Sequence, residues 1–252
     1  MTPDYDITLI AGHREALLAR TLASFSDRVF RHFPLRRIIV NIDPFMGDAA
    51  EGDRCEALVR RSFPQALVFR PPVPDFASAV ARAWAATTAP RVLHLEDDWI
   101  ALEDITPDRV EPLFDADVRA VTFMTATKHT RGLFHQVARR IVTAPDGSKN
   151  DVLVNAFSTS PGVFDGEFLR RSAALMRPRL DPEKQFFRQI NPELEAHALP
   201  WRCMFLRGVR SREVIEDIGR AARDARGIVK SYEKGASVWR DAAGSETRGI
   251  EE

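Results

Sequence analysis

The first half of the chain alternates between two spacings of apolar residues. Short runs rich in Ile and Val, at residues 7–10, 37–42, 66–69 and 92–95, predict strands. Between them, apolar positions return every three or four residues: Leu18, Leu22, Phe25, Val29 and Phe33, then Leu58, Val59 and Phe63, then Phe76, Val80 and Trp84. That spacing lines one side of a helix. Alternating strands and helices imply right-handed crossovers and a mostly parallel sheet covered on both faces, with ligands beyond the carboxyl ends of the strands. A site is therefore expected just after Ile10, Ile42 and Leu95.

The second half is less regular. Thr106 with Pro107 and Asp108 predicts a capped helix start, with Val110, Leu113 and Phe114 on one face, and residues 118–122 predict a further strand. Residues 139–151 read as a polar stretch, 152–158 as a strand, and 165–176 and 182–190 as helices. Asn191 caps a third helix that opens with Pro192 and Glu193, and residues 202–206 predict a last strand. From Gly208 onward the chain is charged, with few large apolar residues. It is expected to wrap the surface or to be mobile without a ligand.

Composition narrows the function classes. With 252 residues and 44% apolar side chains, the chain can bury one sizeable core, so a single α/β domain over 1–252 is expected. Thirty-six basic residues balance thirty-six acidic ones, which removes any global pull toward nucleic acid or an anionic membrane. Phosphate recognition would have to be local. Cys55 and Cys203 lack the paired spacing of a disulfide framework or a zinc site and read as packed thiols. No apolar run approaches the roughly 18 residues that span a bilayer, and the first six residues carry no basic leader, so the cytoplasm is the expected address.

The segment with the most chemistry is the fourth run, which passes through Val92, Leu93, His94 and Leu95 straight into Glu96, Asp97 and Asp98. Three adjacent carboxylates repel one another and cost stability unless a cation or donors neutralise them; hard oxygen ligands suit Mg²⁺ or Mn²⁺. Strand alternation would put Glu96 and Asp98 on one face and Asp97 on the other. The competing reading is a charged loop whose aspartate caps a helix.

This order of elements, with Ala11, Gly12, His13 and Arg14 after the first strand and the acid triplet after the fourth, resembles the GT-A glycosyltransferases, in particular the inverting family-2 type. The resemblance runs from Asp6 to about Leu206. It implies a mostly parallel sheet with helices on both faces, in which about 1–125 binds a nucleotide, about 126–207 faces the acceptor and about 208–252 is a surface segment. It also implies a metal-dependent transfer from a nucleoside-diphosphate sugar, with a UDP-sugar as the leading donor, onto an acceptor the sequence does not name. Asp98 would hold a divalent ion, with Glu96 beside the ribose or the metal and Asp97 supporting; the first acid is Glu96 rather than the family's Asp. Ala11, Gly12, His13 and Arg14 would meet the nucleotide, Arg14 its phosphates, and Asp43 the base. Each of these positions is also an ordinary strand-to-helix turn. Phe76 and Trp84 read as core rather than as stacking platforms.

An inverting transfer needs a carboxylate to take the acceptor's proton. The resemblance points to the start of a late helix, where Glu193 and Glu195 are the candidates, with Asp165 as a third; Glu193 equally suits helix stabilisation. Ser158, Thr159 and Ser160 match the loop beneath the donor sugar. Asp217, before Gly219 and Arg220, stands where the family has a metal-binding His. Arg220, Arg223, Arg226 and Lys230 recur at helical spacing and would either close on the diphosphate or form a solvated face. Two other readings share these features: a nucleotidyltransferase, disfavoured by the glycine-poor first turn, and a sugar-nucleotide-binding module without turnover.

Overall fold

The computed structural model describes residues 2–126, 135–143, 146–209, 212–225, 227–233 and 235–240. Its first part is the alternation expected: β1 (Tyr5–Ala11), α1 (Glu15–Arg28), β2 (Leu35–Ile42), α2 (Ala49–Ser62), β3 (Leu67–Phe69), α3 (Phe76–Ala85) and β4 (Arg91–Glu96). Then follow β5 (Trp99–Ala101), the single-turn α4 (Pro107–Val110), β6 (Val118–Phe123), β7 (Val137–Thr143), β8 (Lys149–Asn155) and β9 (Gly162–Asp165). The chain continues through α5 (Gly166–Leu175), α6 (Pro192–Ala198), β10 (Arg202–Leu206), β11 (Ile215–Asp217), α7 (Gly219–Ala225), β12 (Val229–Glu233) and β13 (Ala236–Arg240).

Seven strands form one sheet in the order β10-β6-β9-β4-β1-β2-β3, so both predicted halves of the chain contribute to it. β1, β2, β3 and β4 pair in parallel, as do β6 and β10; β9 runs antiparallel between β4 and β6. Helices cover both faces. Leu18, Leu22 and Phe25 of α1 and Cys55 and Val59 of α2 bury one face, while Val80 and Trp84 of α3, Phe168 and Leu169 of α5 and Leu194 of α6 bury the other. Because β1, β2 and β4 are parallel, their carboxyl ends share one edge, and that edge carries Gly12, Asp43 and the acid triplet.

Departures from the predicted elements cluster where apolar spacing is short or absent. α1 stops at Arg28, and Val29 and Phe33 are buried around a 3-10 turn rather than on the helix. Thr106 makes no side-chain cap, and Leu113 lies in a 3-10 turn after α4. Within the polar stretch 139–151, residues 139–143 and 149–151 lie in the arms of the β7–β8 hairpin, outside the main sheet, with Ile141 and Leu153 of the hairpin exposed. β9 has four residues and no sequence signature; Gly162 is required there, since a Cβ would stand 2.6 Å from the Val121 carbonyl oxygen. The helix expected over 182–190 is only a 3-10 turn at Lys184–Phe186. After Gly208 the described residues form β11, which pairs with β5, then α7 and the β12–β13 hairpin, with Val214, Ile215 and Ile218 buried. No helix among the described residues is long and apolar enough to cross a membrane.

Candidate functional site

The turn leaving β1 is locked to the turn leaving β4. The Gly12 N–H donates to Asp97 Oδ2 at 2.9 Å, and the Arg14 guanidinium reaches both carboxylates that follow β4. Its Nε lies 3.2 Å from Asp97 Oδ2, its Nη1 lies 3.1 Å from Asp98 Oδ2, and its Nη2 contacts Asp97 Oδ1. Asp97 is wholly buried, and burial pushes its carboxyl up while Arg14 pulls it back toward ionisation. Burial likewise opposes the Arg14 charge, but Asp97 and Asp98 together hold the guanidinium more firmly protonated than usual. Arg14 is thus the cation that the buried Asp97 demands. The side-chain alternation expected of Glu96 and Asp98 does not arise, because β4 ends at Glu96 and Asp97 and Asp98 form a turn. Glu96 instead accepts from the Trp99 indole at 2.9 Å.

Ala11 and His13 serve the neighbouring strand and helix. The Ala11 carbonyl accepts from the Asp43 N–H at 2.8 Å, and the His13 N–H donates to the Phe45 carbonyl at 2.9 Å. The His13 ring is turned against α2, filling the space a Cβ at Gly52 would need, with Nδ1 3.2 Å from the Gly47 carbonyl oxygen. Asp43 is 6% exposed, accepts from Asn41 Nδ2 at 2.7 Å and from the Asp75 N–H at 3.1 Å, and burial pushes its carboxyl up to about 6. Phe76, read as core, is instead 38% exposed in the first turn of α3 beside this pair, whereas Trp84 is fully buried.

The segment after β10 returns to the same edge. β11 pairs with β5 so that Asp217 faces Trp99, and the Ile218 N–H donates to the Asp98 carbonyl at 2.9 Å. Gly219 then passes so close that a Cβ would stand 2.1 Å from Asp98 Oδ2. Asp217 caps α7 through the Arg220 N–H at 3.1 Å, and the Arg220 side chain is exposed. Arg223 Nη1 lies 3.9 Å from Asp98 Oδ2, and its guanidinium stands over the Trp239 ring, which packs on Phe45 with centroids 5.8 Å apart. The sequence gives no periodicity that would join Phe45 to Trp239. Arg226 and the Lys230 side chain lie outside the described residues. A cavity of about 130 Å³ lies between Arg14, Glu51, Gly219 and Arg223. A larger one, about 510 Å³, is lined by Phe33, Pro34 and Pro107, near the amino-terminal ends of the strands and away from the acids.

The candidate bases separate. Asp165 pairs with Arg91 in the β4–β9 register, five residues from Glu96 and therefore about 17 Å away along the strand. It caps α5 through the Phe168 N–H at 2.9 Å and meets Arg91 at 3.4 Å, so it stands at the wrong edge for chemistry with the triplet. Glu193 points outward, its side chain 70% exposed and 3.7 Å from Arg177. Glu195 is buried and accepts from the Gln189 N–H at 2.7 Å. Thr159 is buried, and the Ser158 hydroxyl, 2.8 Å from Ser160 Oγ, donates to Glu183, a residue the sequence pattern did not mark.

Among the described residues, no three His, Cys, Asp or Glu side chains converge as in an all-protein metal cage. Mg²⁺ and similar hard ions are held by one or two carboxylates, with phosphate oxygens and water completing the shell. Here Asp98 Oδ2 faces the Arg14 and Arg223 guanidinium groups, and Asp217, paired with Trp99 on the adjoining strand, caps α7.

No protein-family model matches the chain, and no curated protein matches it by sequence. Solved structures do. A mannosyltransferase, PcManGT from Pyrobaculum calidifontis in complex with GDP-Man and Mn²⁺, matches with a TM-score of 0.57 at 14% identity, over 86% of this chain and 57% of that one. GalNAc-T7 with UDP, GalNAc and Mn²⁺ matches with a TM-score of 0.55 at 10% identity, over 86% and 43%, and S. aureus TarS with 0.51 at 9%, over 85% and 36%. The chain thus spans about half the length of these proteins or less, and what it shares with them is the GT-A fold.

Proposed function

We propose that the chain is a metal-dependent glycosyltransferase that moves a sugar from a nucleoside-diphosphate donor onto an acceptor hydroxyl, with inversion. One observation carries the reading: Arg14, Asp43 and the pair Asp97 and Asp98 leave three parallel strands at one edge, and Gly219 closes on Asp98 with no room for a side chain. In this reading Asp43 accepts hydrogen bonds from the base, and the backbone at Ala11 and Gly12 lies against the nucleotide. Glu96 neighbours the ribose. Asp98 and Asp217 hold Mn²⁺ or Mg²⁺, which when bound offsets charge on the departing diphosphate. Arg14, Arg220 and Arg223 supply the remaining positive charge. His13 acts by holding the first turn against α2. UDP-sugars are the first donors to test, with GDP-sugars beside them, because the neighbours hold UDP and GDP-Man.

Thermal melting with a panel of nucleoside diphosphates, with and without Mn²⁺, tests the reading. A ligand at about 100 times its Kd stabilises by roughly 2.7 kcal/mol. A shift that needs both nucleotide and Mn²⁺, together with nucleoside diphosphate release from the matching nucleotide sugar, is the expected result. A shift without release would leave a binding module, and no shift with any base would contradict the reading.

A further inference from the structure

The loop that enters β9 lies at the same edge as the acid triplet. Gly162 pairs with His94 of β4 and Thr122 of β6, and the Phe123 N–H donates to the Pro161 carbonyl at 2.9 Å. Ser158, Thr159 and Ser160, just before them, therefore stand beyond the carboxyl ends of β4 and β6. Against this loop rests Glu183, whose Oε2 accepts from the Ser158 hydroxyl at 2.8 Å and whose Oε1 lies 2.7 Å from Lys184 Nζ. Its backbone is fixed as well. Asp181 Oδ1 accepts from the Lys184 N–H at 3.0 Å, and Phe186 and Phe187 of the same turn are buried in the core.

We infer that Glu183 is the carboxylate that takes the proton from the acceptor hydroxyl, an assignment that rests on the glycosyltransferase reading above. A general base must be held in place and open to an incoming hydroxyl. Ser158 and Lys184 hold the side chain in place, and they occupy two of the roughly four acceptor positions of a carboxylate. The side chain remains 27% exposed, beside the loop that stands beyond the carboxyl ends of β4 and β6, so a hydroxyl can approach it. The other acids meet fewer of these conditions: Glu193 has one distant ion pair and is mostly solvated, Glu195 is buried, and Asp165 is at the opposite edge. In the step itself the acceptor O–H bond breaks and its proton passes to Glu183. The acceptor oxygen bonds to the anomeric carbon, and the bond from that carbon to the diphosphate oxygen breaks, its electron pair leaving with the nucleoside diphosphate. Water serves as acceptor by the same step, which makes the assignment testable before the natural acceptor is known.

The experiment follows nucleoside diphosphate release from a panel of UDP- and GDP-sugars in water with Mn²⁺, and melting with the matching nucleoside diphosphate. Glu183→Gln keeps the size and hydrogen bonding of the side chain and should lower kcat by about 10²–10⁴-fold, with KM and the nucleotide-dependent melting shift unchanged. Glu183→Asp should recover part of the rate, and Glu167→Gln, on the exposed first turn of α5, should behave as wild type. Near-normal turnover in Glu183→Gln, or collapse in Glu193→Gln or Glu195→Gln instead, would overturn the assignment and leave the glycosyltransferase reading standing. Loss of nucleotide binding in Glu183→Gln that Glu183→Asp does not restore would make the residue structural and overturn it too. A wild type that hydrolyses no nucleotide sugar of the panel would overturn both.

Discussion

The two sides of the acidic edge are built differently. On the side of β1, β2 and β4, each residue of the site sits where a regular strand stops: Gly12 after Ala11, Asp43 after Ile42, Asp97 after Glu96. On the other side, Ser158 and Glu183 are held by a loop, a four-residue strand and a 3-10 turn, through contacts between residues 25 positions apart. The first side inherits its geometry from parallel pairing, so a substitution there should be felt by the fold as well as by the ligand. The second side is placed by side-chain contacts, so substitutions there should act on chemistry with little cost to folding.

The largest effect that would sharpen this contrast is on stability at Arg14. Arg14→Ala leaves Asp97 buried with only the Gly12 N–H beside it, and breaking such a buried pair costs about 3–5 kcal/mol. Urea unfolding should show that loss, while Glu183→Gln should unfold within about 1 kcal/mol of wild type. Equal losses in the two proteins would erase the contrast. Next is Gly219→Ala, where the new methyl group must push α7 off Asp98; overpacking of this kind costs about 1–3 kcal/mol. A calorimetric scan should show a lower Tm and a weaker response to Mn²⁺ with nucleotide. A variant with wild-type Tm and response would mean that α7 does not seat on Asp98.

A smaller, pH-dependent effect belongs to Asp43. Its folded value of about 6 lies above the unfolded one, so its contribution to stability is present below about pH 4 and lost as pH rises through 6, where the carboxylate becomes charged. Ligand binding has the opposite sign, because only the charged form accepts two hydrogen bonds from a base. Affinity for the nucleoside diphosphate should therefore fall by up to tenfold per unit as pH drops below about 6, in excess of the fall shown by Asp43→Asn. Parallel profiles in the two proteins would remove Asp43 from the base site. The smallest expected effect is at Trp239, where ring and guanidinium contacts of this type are worth about 0.5–1.5 kcal/mol. Trp239→Ala should weaken nucleotide binding by less than about tenfold, read by titration calorimetry.

The contrast also explains what could be read from the sequence. Strand-helix alternation is a local signal, and it located β1, β2, β3 and β4, the edge they share, and the acids at their ends. The orientation of those acids was not local. The alternation rule applies to a strand, and β4 stops one residue before Asp97, so Arg14 rather than strand geometry decides where Asp97 and Asp98 point. Glu183 was invisible for a related reason: residues 182–190 have helical apolar spacing, yet Phe186 and Phe187 enter the core from a single 3-10 turn. The placement of β11 and α7 depends on Val214, Ile215 and Ile218 finding β5 and Asp98, contacts that no short window contains.

The central claim is that this edge binds a nucleoside diphosphate through a metal at Asp98. Calorimetric titration of UDP and of GDP into wild type and Asp98→Asn, each with and without Mn²⁺, tests it most directly. The account predicts that one nucleotide binds wild type only with Mn²⁺ and that Asp98→Asn loses most of this affinity without recovery as Mn²⁺ is raised, since phosphates and carboxylates repel without a cation between them. Equal, metal-independent affinity in both proteins would contradict it.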